Sequence, residues 1–341
     1  MDHEYFIHRC LQLASLGRQK VGNGAMVGAV LVREGKVIID GYHNEFGKSH
    51  AELYLLEKFE QEIYPNDVLY VNLEPCCHQG KTPPCTDIIL ERGIKNVIYG
   101  MQDPDPRVAG RGIALLRSRG VKVEGPVVRP LCERLNRGFI SVRTRERPWI
   151  ILKCAQTVDG SISNADGSPL KITSNEQNAW SHTYLRSQVD AILVGNGTIR
   201  RDDPSLTVRF VQKNSSIIGT ITPDYQPWRI ILDSDLRIPQ NAKVVTDDHK
   251  LKTIIIHRKD LQEGMNSKME SIKLSGVKLV SVSSDHSGFL WEDLWKALAT
   301  PEGDFQGITS ILVEGGARTW KKFKKSGCVD EEVVLIGKGE K

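Results

Sequence analysis

The chain has 341 residues, which against about 100 to 200 residues per domain favours two domains, each large enough to bury its own core. Apolar residues make up 40% and charged residues 26%, ordinary globular usage that argues against disordered, collagen-like and coiled-coil classes. Forty-six Lys and Arg against 42 Asp and Glu leave a net charge of +4, too little to predict a nucleic-acid or anionic-membrane partner. Residues 1–10 carry acids and histidines where a secretory signal has a basic and then an apolar segment, and no apolar run approaches the roughly 20 residues of a membrane span. A cytoplasmic protein is expected. Of the seven cysteines, Cys76, Cys77 and Cys85 cluster, and in a reducing compartment that points to metal or catalysis, not disulfides.

In chain order, apolar spacing over 2–16 predicts a first helix ending at Gly17. Segments 27–32 and 36–40 are β-branched and joined by Arg33-Glu34-Gly35, which predicts a hairpin. A helix over 50–59, a strand at 68–73, a helix over 85–92 stopped by Gly93 and a strand at 95–99 follow. A helix over 111–119, a strand at 121–123 and a helix over 130–142 complete a layered α/β half with a partly parallel sheet. The charged stretch 143–147 and Pro148 precede a new apolar strand at 149–152, which places a domain boundary between residues 146 and 147. The second half alternates again, with strands at 191–194, 229–232, 253–256, 277–280 and 308–313 and helices over 290–298 and 317–325. Residues 211–227 have no clear period and read as a long surface loop.

His50-Ala51-Glu52 opens one predicted helix, Glu74-Pro75-Cys76-Cys77-His78 follows a strand, and Pro83-Pro84-Cys85 opens the next helix. One imidazole and two thiolates make a three-ligand zinc set that leaves a position for water, the catalytic type. Zinc acidifies that water, and a nearby carboxylate must then move protons to the ring nitrogen and the leaving amine, a task for which Glu52 is placed. Thiolates at helix starts gain from the helix dipole, and proline suits the first position of a helix because its missing N–H is no loss there. The zinc nucleobase deaminases follow the same order, His-x-Glu and then Pro-Cys-x-x-Cys. Here eight residues separate Cys76 from Cys85, and spacing leaves Cys77 and His78 in competition as ligands.

The run Leu73 to Cys85 resembles the deaminase signature of the bifunctional riboflavin-biosynthesis deaminase/reductase family. Met101 to Gly112, Lys153 to Gly160 and Val189 to Arg209, with its Arg201-Asp202-Asp203-Pro204, resemble the same family, so the likeness spans nearly the whole chain. It implies an α/β fold in two domains, a cytidine-deaminase-like α/β/α layer over 1–146 and a dihydrofolate-reductase-like α/β domain over 147–341. The implied activities are zinc-dependent deamination of 2,5-diamino-6-(ribosylamino)pyrimidinone 5′-phosphate and NADPH-dependent reduction of the ribosyl to a ribityl chain. By resemblance His50, Cys76 and Cys85 bind zinc, Glu52 shuttles protons and Cys77 is not a ligand. Ala155, Lys171, Thr198, Asp202, Ser234 and Gly316, Ala317, Arg318, Thr319 and Trp320 fall at NADPH positions, and Arg186, Leu206, Arg209 and Glu314 at substrate positions. A small pyrimidine ribonucleotide is the expected partner, without nucleic acid or membrane, and a homodimer or higher homo-oligomer is the expected assembly.

The residues of the second half add physical detail. No Gly-x-Gly-x-x-Gly follows a strand, but Gly315-Gly316 sits where a strand becomes a helix and lets backbone N–H groups approach a phosphate. Arg186 and Arg209 suit a ribose phosphate because guanidinium binds it in a bidentate fork, and Lys153 is placed to orient the ring or sugar. Lys321, Lys322, Lys324 and Lys325 read as a solvated helix face. Three stretches depart from the family. Asn23-Gly24-Ala25 replaces Pro-Asn-Pro, losing a substrate-contacting asparagine and two prolines that stiffen the loop. Pro169-Leu170-Lys171-Ile172-Thr173 replaces Ser-x-Trp-Ile-Thr, and Asp330 to Lys341 resembles the start of the family's last segment and then stops, which would expose a sheet edge. Two rival readings are a zinc nucleobase deaminase acting on nucleic acid and a non-catalytic protein that binds zinc and NADPH.

Overall fold

The computed structural model describes residues 2–162, 170, 172–209, 225–261, 264–286 and 288–337. Most of the expected loop 211–227, and Lys171, lie outside them. The chain divides into two compact units, one of Met1–Glu146 joined by Pro301–Gly307 and the other starting at Arg147.

In the first unit the strands are β1 (Gly28–Arg33), β2 (Lys36–Tyr42), β3 (Val68–Val71), β4 (Asn96–Tyr99) and β5 (Lys122–Glu124), and the helices are α1 (His3–Ser15), α2 (Ala51–Lys58), α3 (Cys85–Glu91), α4 (Arg111–Ser118), α5 (Arg129–Leu135) and α6 (Arg137–Arg145). The strands lie in the order β2-β1-β3-β4-β5. β1 pairs antiparallel with β2 and β3, whereas β3, β4 and β5 are parallel, so the expected hairpin and partly parallel sheet both form. Ile7, Leu11, Leu31, Leu55, Leu69, Val97 and Leu116, none more than 1% exposed, centre the core. The helix expected over 130–142 is two helices. The break falls at Asn136, whose side chain accepts from the Met26 N–H at 2.8 Å and donates to the Met26 carbonyl at 3.0 Å, standing in for a neighbouring strand. A side chain committed to a distant backbone in this way competes with helix continuation.

The second unit holds β6 (Trp149–Thr157), β7 (Ala191–Gly195), β8 (Trp228–Leu232), β9 (Thr253–Arg258), β10 (Lys278–Val282), the short β11 (Ser284–Asp285) and β12 (Gly288–Phe289), β13 (Ser310–Val313) and β14 (Glu331–Gly337). Its helices are α7 (Asn175–Tyr184), α8 (Asn196–Asp202), α9 (Lys243–Thr246), α10 (Asn266–Leu274), α11 (Trp291–Ala299) and α12 (Ala317–Ser326). Seven strands form one sheet in the order β10-β9-β8-β7-β13-β6-β14, and every neighbouring pair is parallel. Its inner strands are Ile- and Val-rich and buried except at the last residues of β7 and β9, as sheets covered on both faces require. Among the described residues no helix is long and apolar enough to cross a membrane.

A candidate zinc site and a candidate cofactor cleft

Three element ends converge in the first unit. His50 is the N-cap of α2, Cys76 lies in the loop beyond β3, and Cys85 is the first residue of α3. The His50 Nδ1 lies 3.5 Å from the Cys76 Sγ and 3.4 Å from the Cys85 Sγ. Bond lengths of about 2.3 Å to sulfur and about 2.0–2.1 Å to nitrogen put the N and S corners of a tetrahedral zinc site about 3.5 Å apart, so the donor set fits that ion as it stands. Among the described residues these three are the group able to hold a metal, and neither Cys77 nor His78 belongs to it. Of residues 76–78, Cys76 is the one that belongs to the group. Its sulfur also accepts the Cys85 N–H at 3.4 Å. A hydrogen bond from the Cys85 thiol holds Cys76 down at about 4, against the burial of the site, and the same bond pushes Cys85 up.

Glu52 occupies the first turn of α2, 3% exposed. Burial, reinforced by the nearby Cys76, raises its carboxyl to about 7. It lines a pocket of about 410 Å³ together with His50, Cys76, His78, Gly24, Lys48, Lys81, Arg107 and Arg143. His43 also lines it, with its ring 5.4 Å from that of His50. The His43 Nδ1 faces the Ala25 carbonyl at 3.3 Å, which places its proton there, and its buried Nε2 meets no hydrogen-bond partner among the described residues. The 23–25 loop that departs from the family is held by the Asn23 N–H to the Gln306 carbonyl at 2.9 Å and the Gly24 N–H to the Val21 carbonyl at 2.9 Å.

Glu74, passed over in the sequence except as part of a motif, organises the opposite wall. Its buried carboxylate accepts the N–H groups of Asp103, Gly110, Gly112 and Ile113 at 3.2, 2.9, 3.0 and 3.3 Å. It thereby ties the zinc loop to the 103–110 segment, which gives Asp103, Asp105 and Arg107 to the pocket. Gly112 makes the approach possible, because a Cβ there would lie 2.0 Å from the Pro75 carbonyl oxygen. Glu74→Gln keeps the shape but turns an amide NH₂ toward backbone donors, losing about two charge-assisted bonds worth about 3 kcal/mol together. The expected result is a raised KM for deamination with kcat less affected and zinc content unchanged. Wild-type KM and melting temperature would show that another group holds the segment.

In the second unit a cleft of about 910 Å³ opens at the carboxyl ends of the central strands, where open α/β sheets bind ligands. Thr198, Ser234, Gly316, Ala317, Arg318 and Thr319 line it, whereas Ala155, Asp202 and Trp320 do not. Lys322 and Lys325, expected on a solvated face, line it as well. Gly316 caps α12 with φ +56, and a Cβ on Gly315 would lie 2.6 Å from the Val194 Cα. Backbone this bare at a helix N-terminus suits a diphosphate.

The expected substrate residues form a separate cluster in this unit. Arg186 makes a bidentate pair with Glu314, Nε to Oε1 at 2.8 Å and Nη2 to Oε2 at 2.5 Å, and donates to the Thr207 carbonyl at 2.9 Å. Burial opposes the Glu314 charge, but Arg186 and Lys153 outweigh it and hold the carboxyl at about 2. The Arg209 N–H donates to the His182 Nδ1 at 3.0 Å, and Gln226 brackets both backbone groups of Val208 at 2.9 and 3.0 Å. These side chains replace a strand partner for 207–209. Burial, then Arg186 and Arg209, hold His182 down at about 4, so it is neutral at pH 7. Leu206, with φ +51, packs its side chain in the core. His182 and Gln226 were missed in the sequence, where neither stands in a recognisable motif.

Comparison with known proteins bears on both sites. Residues 148–337 match the RibD C-terminal domain model, and residues 1–101 match the cytidine and deoxycytidylate deaminase zinc-binding region. The chain is 39% identical over 331 residues to riboflavin biosynthesis protein RibD of Aquifex aeolicus, covering 97% of this chain and 85% of that one. It belongs to the RibD family. The RibD of Escherichia coli is 32% identical over 338 residues, with 98% of this chain and 88% of that protein covered. Among solved structures, the deaminase/reductase of Thermotoga maritima superposes with a TM-score of 0.76 at 31% identity, over 98% of this chain and 86% of that one. As a RibD-family member the chain is a bifunctional enzyme of riboflavin biosynthesis, a zinc-dependent deaminase and an NADPH-using reductase.

Proposed function

We propose that residues 1–146 remove the 2-amino group of 2,5-diamino-6-(ribosylamino)pyrimidinone 5′-phosphate and that residues 147–341 reduce the ribosyl of the product to a ribityl chain. The observation that carries the reading is the pocket lined by His50, Cys76 and Glu52, with the Cys85 sulfur completing a His/Cys/Cys donor set at N–S separations matching a tetrahedral zinc site. His50, Cys76 and Cys85 hold the zinc, which when bound supplies Lewis acidity to a water molecule. Glu52 takes a proton from that water and delivers one to the departing amine. His43 offers its Nε2 as an acceptor to the pyrimidine, and Lys48, Lys81 and Arg143 supply positive charge for the ribose phosphate.

In the second unit Gly316 to Thr319, with Thr198 and Ser234, hold NADPH, which supplies the hydride. Arg186, fixed by Glu314, and Arg209, fixed through His182 and Thr207, orient the substrate. Lys153, Arg186 and Arg209 outnumber the single carboxylate of Glu314, which leaves the cluster positive for a phosphorylated ligand. We assign the protein to the cytoplasm as a homodimer or higher homo-oligomer acting on a small ribonucleotide, without nucleic acid or membrane. The test is an assay with the diaminopyrimidine nucleotide that follows ammonia release and NADPH oxidation separately. Ammonia is expected first, with NADPH consumed only after deamination. NADPH oxidation that precedes or does without ammonia release would overturn the order, and absence of both would overturn the reading.

A further inference from the structure

The loop 23–25 beside the zinc site is held by a segment far away in sequence. Pro301–Gly307 packs with the first unit, although α11 before it and β13 after it belong to the second. Within this segment Glu302 and Phe305 exchange both backbone hydrogen bonds, at 2.8 and 3.0 Å, which makes a tight hairpin, and the Phe305 side chain is buried. The Ile308 N–H donates to the Leu298 carbonyl at 2.8 Å and closes the base. The Gln306 carbonyl then accepts the Asn23 N–H at 2.9 Å. Gly22, with φ +54, lets the two backbones meet, since a Cβ there would lie 2.4 Å from the Gln306 carbonyl oxygen and 2.5 Å from its Cβ.

Segment 20–25 passes this support on to the pocket. The Lys20 carbonyl accepts the Phe46 N–H at 2.8 Å, and the Phe46 ring carries the Lys81 ammonium, 3.9 Å from its centroid. The Ala25 carbonyl faces the His43 Nδ1 at 3.3 Å. Asn23, Ala25, His43, Phe46 and Lys81 all line the pocket, and no residue of the hairpin does. Where this chain has Asn23 and Ala25 the family has prolines, and a proline fixes its own φ and has no N–H to give. The bond from residue 23 to Gln306 is therefore one that the family's residue could not make. A loop without those prolines has more conformations to lose, and an anchor on a buried hairpin restricts it by other means. We propose that the 301–307 hairpin is a positioning element of the deaminase pocket, which through Gln306 and Asn23 takes over the stiffening role of the two prolines and so keeps His43 and Lys81 aimed at the substrate. This rests on the assignment of that pocket to deamination. Because the hairpin touches none of the reacting groups, its contribution falls on substrate binding and not on the chemical step.

The test uses two variants of the full chain. Phe305→Ala removes the side chain that seats the hairpin, and Gly22→Ala drives a methyl group into Gln306. Each is expected to raise the KM for deamination about three- to tenfold while kcat stays within about a factor of two. Zinc content and reduction of the separately supplied deaminated nucleotide should not change. Hydrogen exchange read by mass spectrometry should quicken at the amides of Asn23 and Gly24 and stay as in the wild type in β3 and β4. Adding Asn23→Pro and Ala25→Pro to Phe305→Ala should return KM to within about twofold of the wild type, because a loop stiffened from within no longer needs the anchor. Wild-type KM and exchange in both variants would overturn the inference. So would a fall in kcat together with loss of zinc, which would make the hairpin a support of the whole unit, and so would failure of the two prolines to restore KM. A wild type that releases no ammonia from the diaminopyrimidine nucleotide would overturn the assignment of the pocket and the inference with it, whereas normal release with both variants indifferent overturns the inference alone.

Discussion

Glu52→Gln is expected to lower the rate of deamination by about 10²- to 10⁴-fold, with zinc content and NADPH-dependent reduction unchanged. The substitution is nearly isosteric, and Glu52 is buried in the first turn of α2, so packing is preserved. The lost property is the ability to hold and release a proton. Burial places the wild-type carboxyl near neutrality, where one group can serve as base toward water and as acid toward the amine without a large cost in either direction. An amide can still hydrogen-bond but cannot carry the proton across. Because His50, Cys76 and Cys85 form the donor set without Glu52, metal measured by atomic absorption should stay near one per chain. Ammonia release at saturating substrate is the readout. Full activity in the variant would remove Glu52 from the mechanism, and loss of zinc would make its role structural.

The candidate zinc trio was legible in the sequence because His50 and Cys85 stand at the starts of helices and Cys76 in the loop between a strand and the second of those helices. The strands β3 and β4 and the helices α2 and α3 have apolar faces that fix where the loops fall. Helices that bury a single side chain were not legible. α8 buries only Ile199 and α10 only Ile272, so neither shows the apolar stripe from which an amphipathic helix is read. α7 was overlooked although Ser174 and Gln177 form a complete capping box, a local signal that was present in the residues. The long-range polar anchors were illegible for a different reason. Asn136 reaches Met26, Glu74 reaches Gly112 and Arg186 reaches Glu314 across 110, 38 and 128 positions of sequence. Only the fold brings such partners together, although resemblance had marked both Arg186 and Glu314. It marked them as substrate contacts and gave no hint that they hold each other.

Glu314→Gln is expected to destabilise the second unit by about 3–5 kcal/mol at pH 7, since removing one partner leaves the buried Arg186 charge uncompensated. Both side chains are largely buried, 13% and 8% exposed. The pH dependence identifies the cause. The Glu314 carboxyl is held at about 2 against an ordinary 4.5, burial being outweighed by Arg186 and Lys153. A depressed carboxylate contributes stability that is fully present above its unfolded value and is lost as pH falls through its folded value. The contribution is therefore complete above about pH 5 and declines between about 4.5 and 2, and at about 1.4 kcal/mol per unit it amounts to about 3 kcal/mol. The gap between wild type and variant should be constant from pH 8 to 5 and narrow markedly by pH 3. Urea unfolding can be followed selectively, because all six tryptophans (Trp149, Trp180, Trp228, Trp291, Trp295 and Trp320) lie beyond the boundary at residue 147. Reduction should suffer through KM, as Arg186 loses the clamp that aims it. A gap that stays the same at pH 3 and pH 7 would show that the Glu314 charge is not its source, and a gap below about 1 kcal/mol would mean that Arg186 finds another partner or water.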